Sequence, residues 1–344
     1  MSTSLYKLFI NQLLLNLEYS GSGLHLGPIF IGSPTCADDQ LLLADNSVDL
    51  QVMITACNDY AVNHQYTLHP EKSTVTTIFP KKDATDQKWY MGGNKVTYSP
   101  TFTHLGLDWS EGKLGPNVDS RIKTARKTVY ALMGTGLHGQ NGLSPAIANH
   151  VIKIYVIPRL LYGLEATVLT KKQREELSTY HRNLLRIIQG LPKSTANEAI
   201  FILMGELPIE AELDIRILKM FGAICRADSN STLKKMAHRQ IAIDNKHSWF
   251  HQILLLGEKY SISRSLVVDT PWRKSTWNSY IENAVRSHWK QLLFEKAMTK
   301  SSLKMINSDN LMALKPHNLW YSCAKDPRMV PAAVIRAKLI SNTY

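Results

Sequence analysis

The sequence predicts an α+β chain in which a short sheet-bearing part gives way to a long helical remainder. Three observations predict it. Short β-branched and aromatic runs broken by turn residues occupy residues 1–110, apolar residues at helical spacing with recognisable caps take over after residue 111, and a burst of basic residues marks the changeover. The 344 residues suffice for two or three domains, and 44% hydrophobic content is ordinary for a globular chain.

The first part reads as follows. Leu5, Leu8, Phe9, Leu13 and Leu17 form one face of a helix that stops before Gly21-Ser22-Gly23. The glycines that follow lie after a helix, where a dinucleotide-binding motif needs a strand, and Leu26 stands at that motif's last glycine, so the stretch is a turn into the Ile29 strand. Ile29-Phe30-Ile31 leads through Gly32, Ser33 and Pro34 to Cys36-Ala37-Asp38-Asp39, and an apolar run, Leu41 to Leu43, follows. This is a β-hairpin signature with two acids at its tip. Adjacent carboxylates between buried strands repel each other and lose hydration, a cost that a divalent cation offsets; a solvated turn is the plain alternative.

Asn46 or Ser47 caps the next helix, whose Leu50, Met53, Ile54, Cys57 and Ala61 line a core face. Lys72 precedes a strand at Thr74 to Phe79, Lys81 to Lys88 is a polar connector, and Met91-Gly92-Gly93-Asn94-Lys95 is a hairpin turn. A strand at Phe102 to Leu107 closes this part, and Glu111 to Pro116 is the expected hinge.

Beyond the hinge, Arg121, Lys123, Arg126 and Lys127 fall within two turns of a helix, a face suited to a phosphate backbone or to plain solvent. Ser144-Pro145 starts a helix with Ile147, Val151, Ile154 and Tyr155 on one face, interrupted at Pro158. Thr170 and Gln173 form a capping box before Leu177, Tyr180, His181, Leu184 and Ile188, and Gly190-Leu191-Pro192 ends that helix. Thr195 and Glu198 repeat the start signal, Gly205 to Pro208 the stop, and Ile209, Leu213, Ile217, Met220 and Ile224 form another stripe. His247 and His251 have the spacing of a zinc pair, but Ser248 stands where a zinc protease needs glutamate, so a solvated or stacking role is preferred. A later helix carries Trp277, Ile281, Ala284, Val285, His288 and Leu292, with Arg286, Lys290 and Lys296 on its other face, and Ala332 to Leu339 is helical again.

A formal net charge of +12 favours polyanionic partners. Cys36, Cys57, Cys225 and Cys323 are scattered without a C-x-x-C pair, as free thiols of a reducing compartment are. No apolar run is long enough for a membrane span and no signal peptide is visible, so nucleus or cytoplasm is expected.

The Cys36-Ala37-Asp38-Asp39 tip resembles the YADD/FADD box of reverse transcriptases, with Cys36 in place of an aromatic residue. Leu68-His69-Pro70-Glu71-Lys72-Ser73 is similar to the lysine-bearing stretch after that family's palm helix, and Phe102-Thr103-His104-Leu105-Gly106-Leu107 to its primer-grip hairpin. Ser2 to Asn11 resembles the tail of the segment that follows its Gln-Gly motif. In order and spacing these resemble the polymerases of LINE-type, non-LTR retrotransposons. The resemblance implies a partial palm over residues 1–110, an antiparallel sheet with packed helices, then a thumb-like helical region over 111–190 and a helical extension over 191–344.

It further implies that Asp38 and Asp39 are catalytic carboxylates holding Mg²⁺ or Mn²⁺ and that Lys72 lies near the triphosphate. His104, Gly106, Arg121, Lys123, Arg126 and Lys127 would contact nucleic acid, the partners being an RNA template and a DNA primer, with no membrane and no small-molecule cofactor. The family's site also takes an aspartate from an earlier strand. Here none precedes Asp38, and Glu18 is the only earlier acid. The expectation is therefore a fragment of a reverse transcriptase that is inactive alone and keeps a weak metal half-site. A non-enzymatic, basic nucleic-acid-binding or interaction protein derived from such an element is the alternative, and an unrelated helical scaffold a third reading.

Overall fold

The computed structural model describes residues 3–79, 88–112, 115, 118–137, 142–269, 271–306, 309–324 and 326–343. The fold is α+β. It comprises two compact units, one of Met1–Asn117 with Ala227–Ala242, the other of Val118–Arg226 with Ile243–Tyr344. Most of the Lys81–Lys88 connector and part of the Glu111–Pro116 hinge lie outside the described residues.

The first unit opens with α1 (Thr3–Tyr19), which buries Ile10, Leu13 and Leu17. Leu5 and Leu8, expected on that face, are 57% and 75% exposed. At 3.6 residues per turn Leu8 stands about 180° from Leu17, so the true stripe keeps Phe9, Leu13 and Leu17 and takes Tyr6 and Ile10 in place of Leu5 and Leu8. Two tight hairpins follow, β1 (His25–Leu26) with β2 (Ile29–Phe30), and β3 (Thr35–Cys36) with β4 (Asp39–Gln40). The Ile29 run therefore pairs back on its own hairpin rather than continuing into the acidic tip. The strand entering the tip is bonded from Gly32, which accepts from Leu43 N–H at 2.7 Å, and Leu24 N–H donates to Leu43 at 2.8 Å to join the hairpins.

Helix α2 (Ser47–Asn63) is the centre of this unit. Asn46 caps it as expected, its side chain accepting from the Asp49 N–H. Met53, Cys57 and Tyr60 pack on α1, while Ile54 packs on Val75, Trp89, Met91 and Val96 of a small sheet. That sheet has β7 (Asn94–Tyr98) between β5 (Thr74–Val75), parallel to it, and β6 (Trp89–Met91), antiparallel. Gln51 fastens the helix to the sheet edge, accepting from Tyr90 N–H at 2.9 Å and donating to Tyr90 C=O at 2.8 Å. Regular pairing of the Thr74–Phe79 strand stops at Val75. Gly92 and Gly93 both adopt positive φ in the β6–β7 turn, the geometry that two-residue hairpins require. β8 (Thr101–His104) and β9 (Leu107–Ser110) form a further hairpin with Phe102 stacked on Trp109.

The second unit is helical: α3 (Val118–Met133), α4 (Pro145–Tyr155), α5 (Ile157–Leu161), α6 (Lys171–Gln189), α7 (Asn197–Met204) and α8 (Ile209–Cys225). The chain then supplies α9 (Thr232–Ile243), whose Arg239 lies against the Gly27 turn inside the first unit: a Cβ on Gly27 would stand 3.1 Å from Arg239 Cζ. It returns to the second for α10 (Trp249–Lys259), α11 (Lys274–Met298), α12 (Asp309–Ala313), α13 (Asn318–Ser322) and α14 (Val330–Ile340). Helix α7 is buried on every side from Glu198 to Met204, which makes it the core helix. Gly222 on α8 admits Trp277 of α11, whose indole N–H donates to Leu218 C=O at 2.9 Å; a Cβ at that glycine would collide with the indole ring.

The Thr170–Gln173 capping box forms, and Gly190 and Gly205 end their helices in the left-handed conformation. Two expectations fail. Thr195 does not cap α7, since Ala196 occupies the cap position and the Thr195 hydroxyl donates to Thr343. On α4 the buried face is Ala148, Asn149 and Ile152, whereas Ile147, Ile154 and Tyr155 are exposed.

Asp214 of α8 is fully buried and ties three other residues to that helix. It accepts from Arg174 at 3.0 Å, Lys259 at 2.8 Å and the Tyr260 hydroxyl at 2.6 Å. Trp289 donates in turn to the Tyr260 oxygen at 2.9 Å. Burial, then the Asp214 charge, pushes the Tyr260 hydroxyl well above the usual tyrosine range. No helix among the described residues is long and apolar enough to cross a membrane.

Candidate metal and nucleic-acid site

In the first unit the Cys36–Asp39 tip is a two-residue hairpin, with Cys36 opposite Asp39 and Ala37–Asp38 as its turn. Ala37 has φ +53°, the positive value that such turns take at their first central position. Cys36, Asp38 and Asp39 are all exposed. The premise that buried strands strip water from these carboxylates therefore fails, and desolvation does not compel a cation. What remains is two adjacent carboxylates presented to solvent on a short, hydrogen-bonded tip.

The tip rests on the same core as its neighbours. Leu42, just after the hairpin, and Leu68, which opens the lysine-bearing stretch, both pack on the Ile54–Val75–Trp89 cluster. Tyr6 of α1 lies close enough to Asp38 for that carboxylate to raise its hydroxyl, after burial, above the ordinary tyrosine value. Lys72 is exposed in a turn closed by its N–H on His69 C=O. His104 ends β8 half-buried, and Leu105 and Gly106 form the hairpin turn with φ of +50° and +72°.

Mg²⁺ is the ion whose donor chemistry bears on this tip. That ion takes one or two carboxylates and completes its shell with water and substrate phosphates, and Asp38 and Asp39 are carboxylates of the right kind. Among the described residues no three His, Cys, Asp or Glu side chains gather to hold a metal. His247 lies in the turn before α10 and so does not share a helix face with His251; Ser248 caps α10 by accepting from the His251 N–H, and His251 Nδ1 bonds Asp244 at 2.8 Å.

In the second unit, α3 separates its four cations. Val118, Arg121, Ala125, Thr128 and Val129 form the buried stripe, so Arg121, 8% exposed and with Nε unpartnered, faces inward. Lys123, Arg126 and Lys127 are exposed. Arg126 lies near Tyr180 of α6, where its charge partly counters the burial that pushes that hydroxyl up to about 12. The exposed basic group on α3 is three cations, not four.

One feature of this unit escapes sequence reasoning, a cavity of about 190 Å³ against which α6 sets His181. Burial, then Arg182 and Lys153, lower that imidazole to about 3. In the sequence His181 is one position of an apolar stripe. Its signal there is a lone titratable ring at the centre of that stripe.

No family model matches the chain. Over 207 residues it is 25% identical to the Retrovirus-related Pol polyprotein from type-1 retrotransposable element R2 of Popillia japonica, across 58% of this chain and 32% of that protein. The chain thus spans about a third of the length of the curated relative it matches. This identity makes the chain a distant relative of a non-LTR retrotransposon Pol polyprotein.

Proposed function

We propose that the chain is a reverse-transcriptase segment which binds primer–template nucleic acid along α3 and, by itself, does not extend it. The observation that carries this reading is the exposed Lys123, Arg126 and Lys127 on one helix of a chain related to a retrotransposon Pol polyprotein. Three cations on neighbouring turns match successive phosphates, which fix register without reading sequence. Asp38 and Asp39 supply the acids for a Mg²⁺ or Mn²⁺ half-site. When bound, such an ion activates a 3′-hydroxyl and neutralises a leaving pyrophosphate. Among the described residues no third acid gathers with these two to fix that geometry.

Primer extension tests the catalytic half of the proposal. The chain is expected to incorporate no more nucleotide on a primed RNA or DNA template than its Asp38→Asn/Asp39→Asn variant does. Template-dependent synthesis above that background contradicts it. The half-site has a separate readout: Mg²⁺ at ten times a millimolar dissociation constant stabilises the fold by about 1.4 kcal/mol. Melting temperatures in Mg²⁺ and in Na⁺ of equal ionic strength should differ for the wild type alone. An identical response from the double variant removes the half-site.

A further inference from the structure

We propose that the helical unit holds an unpaired nucleobase in the cavity between α4, α6 and α8, with His181 reading its edge. This rests on the nucleic-acid reading above and adds a site to it. Ile152, Ile157, Ile209 and Ile215 supply apolar walls. At about 190 Å³ the space is smaller than the ~300–1,000 Å³ usual for drug-sized ligands, and suits one planar heterocycle. His181 is 6% exposed, lines this space, and its Nδ1 has no hydrogen-bond partner. A buried polar nitrogen left unpaired is costly, so a ligand toward which the ring turns that nitrogen is favoured.

The chemistry of the ring selects the ligand. Burial keeps the imidazole neutral at pH 7, with one acceptor nitrogen and one N–H. A carboxylate or phosphate in the same place would want a cation, whereas a base edge offers donors and acceptors together. The charges at the lining fit what a base carries with it. Lys153 pairs with Glu206 at 2.9 Å, Arg216 with Glu212 at 3.1 Å and Arg286 with Glu282 at 2.9 Å. Each cation keeps N–H donors beyond its carboxylate partner for a flanking phosphodiester. A paired base cannot enter, so the occupant comes from a single-stranded stretch, the form in which RNA bases are splayed and read.

The test uses the full chain and two single-stranded oligonucleotides of equal length, one wholly abasic and one carrying a single central 2-aminopurine. The base-bearing strand is expected to bind roughly ten-fold more tightly, with a change in 2-aminopurine fluorescence, and His181→Leu should abolish the difference. Should that variant fail to fold, the ring-nitrogen resonances of His181 in the wild type decide: they shift with the base-bearing strand and not with the abasic one. Equal binding of both strands with unmoved His181 resonances overturns the cavity assignment and leaves the α3 reading standing. Retention of neither strand, nor of primer–template, at low salt overturns both.

Discussion

Asp214→Ala is expected to lower the unfolding free energy of the helical unit by roughly 3 kcal/mol, within the ~3–5 kcal/mol range for breaking a buried ion pair from one side. The substitution leaves Arg174, Lys259 and the Tyr260 hydroxyl facing a void where a carboxylate accepted from all three. Arg174 and Lys259 are 23% and 34% exposed, so water partly solvates the stranded cations and the low end of the range applies. Asp214→Asn keeps an acceptor and loses the charge, and should fall between wild type and Asp214→Ala. In a unit of this size the alanine change corresponds to about 6–12 °C in melting temperature. Denaturant titration followed by tryptophan fluorescence measures it, and a loss below about 1 kcal/mol would show that the network adds little.

Acid should weaken the same unit through His181. Its folded value of about 3 lies below the ordinary histidine value, so between those limits the unfolded chain binds a proton that the folded chain refuses. Stability is therefore complete above pH 6.5 and is lost progressively as pH falls toward 3, by about 2 kcal/mol from pH 7.5 to pH 5. His181→Leu removes this component, and its denaturation midpoint should change less over that interval than that of the wild type. Parallel pH profiles for the two proteins would contradict the assignment.

What can be read from the sequence is what local chemistry decides. The Asn46 cap, the Thr170–Gln173 box, the Gly92–Gly93 turn and the acidic hairpin each depend on a few adjacent residues, and each forms. Faces are harder. Large apolar side chains draw a reading of α4 to Ile147, Ile154 and Tyr155, yet the helix packs through Ala148 and Asn149, and Asn149 donates to Glu206 at 2.7 Å. Leu5 and Leu8 mislead in the same way on α1.

Charge misleads differently. Arg121 groups with its basic neighbours by type, although its spacing to Ala125 and Thr128 places it on the buried stripe. Asp214 sits between Leu213 and Ile217 with no local sign of its role, and only the three-dimensional meeting of α6, α10 and α8 explains an acid there. Of the candidate site, the paired acids and the basic helix are visible in the sequence, while the exposure of the tip and the His181 cavity depend on tertiary packing.

Nothing bears more directly on the α3 reading than the salt dependence of primer–template binding by the wild type and by a Lys123→Ala/Arg126→Ala/Lys127→Ala variant. Removing one phosphate partner should flatten the slope of log K against log salt by up to ~0.9, so removing all three should flatten it by up to ~2.7. Arg121→Ala, which changes a buried residue, should alter stability and leave the slope as it was. A wild-type slope that is steep, and a triple variant that is flatter and weaker on every sequence tried, is the result predicted. Unchanged affinity and slope in the triple variant would contradict it, and α3 would then be a solvated face and not the surface that meets nucleic acid.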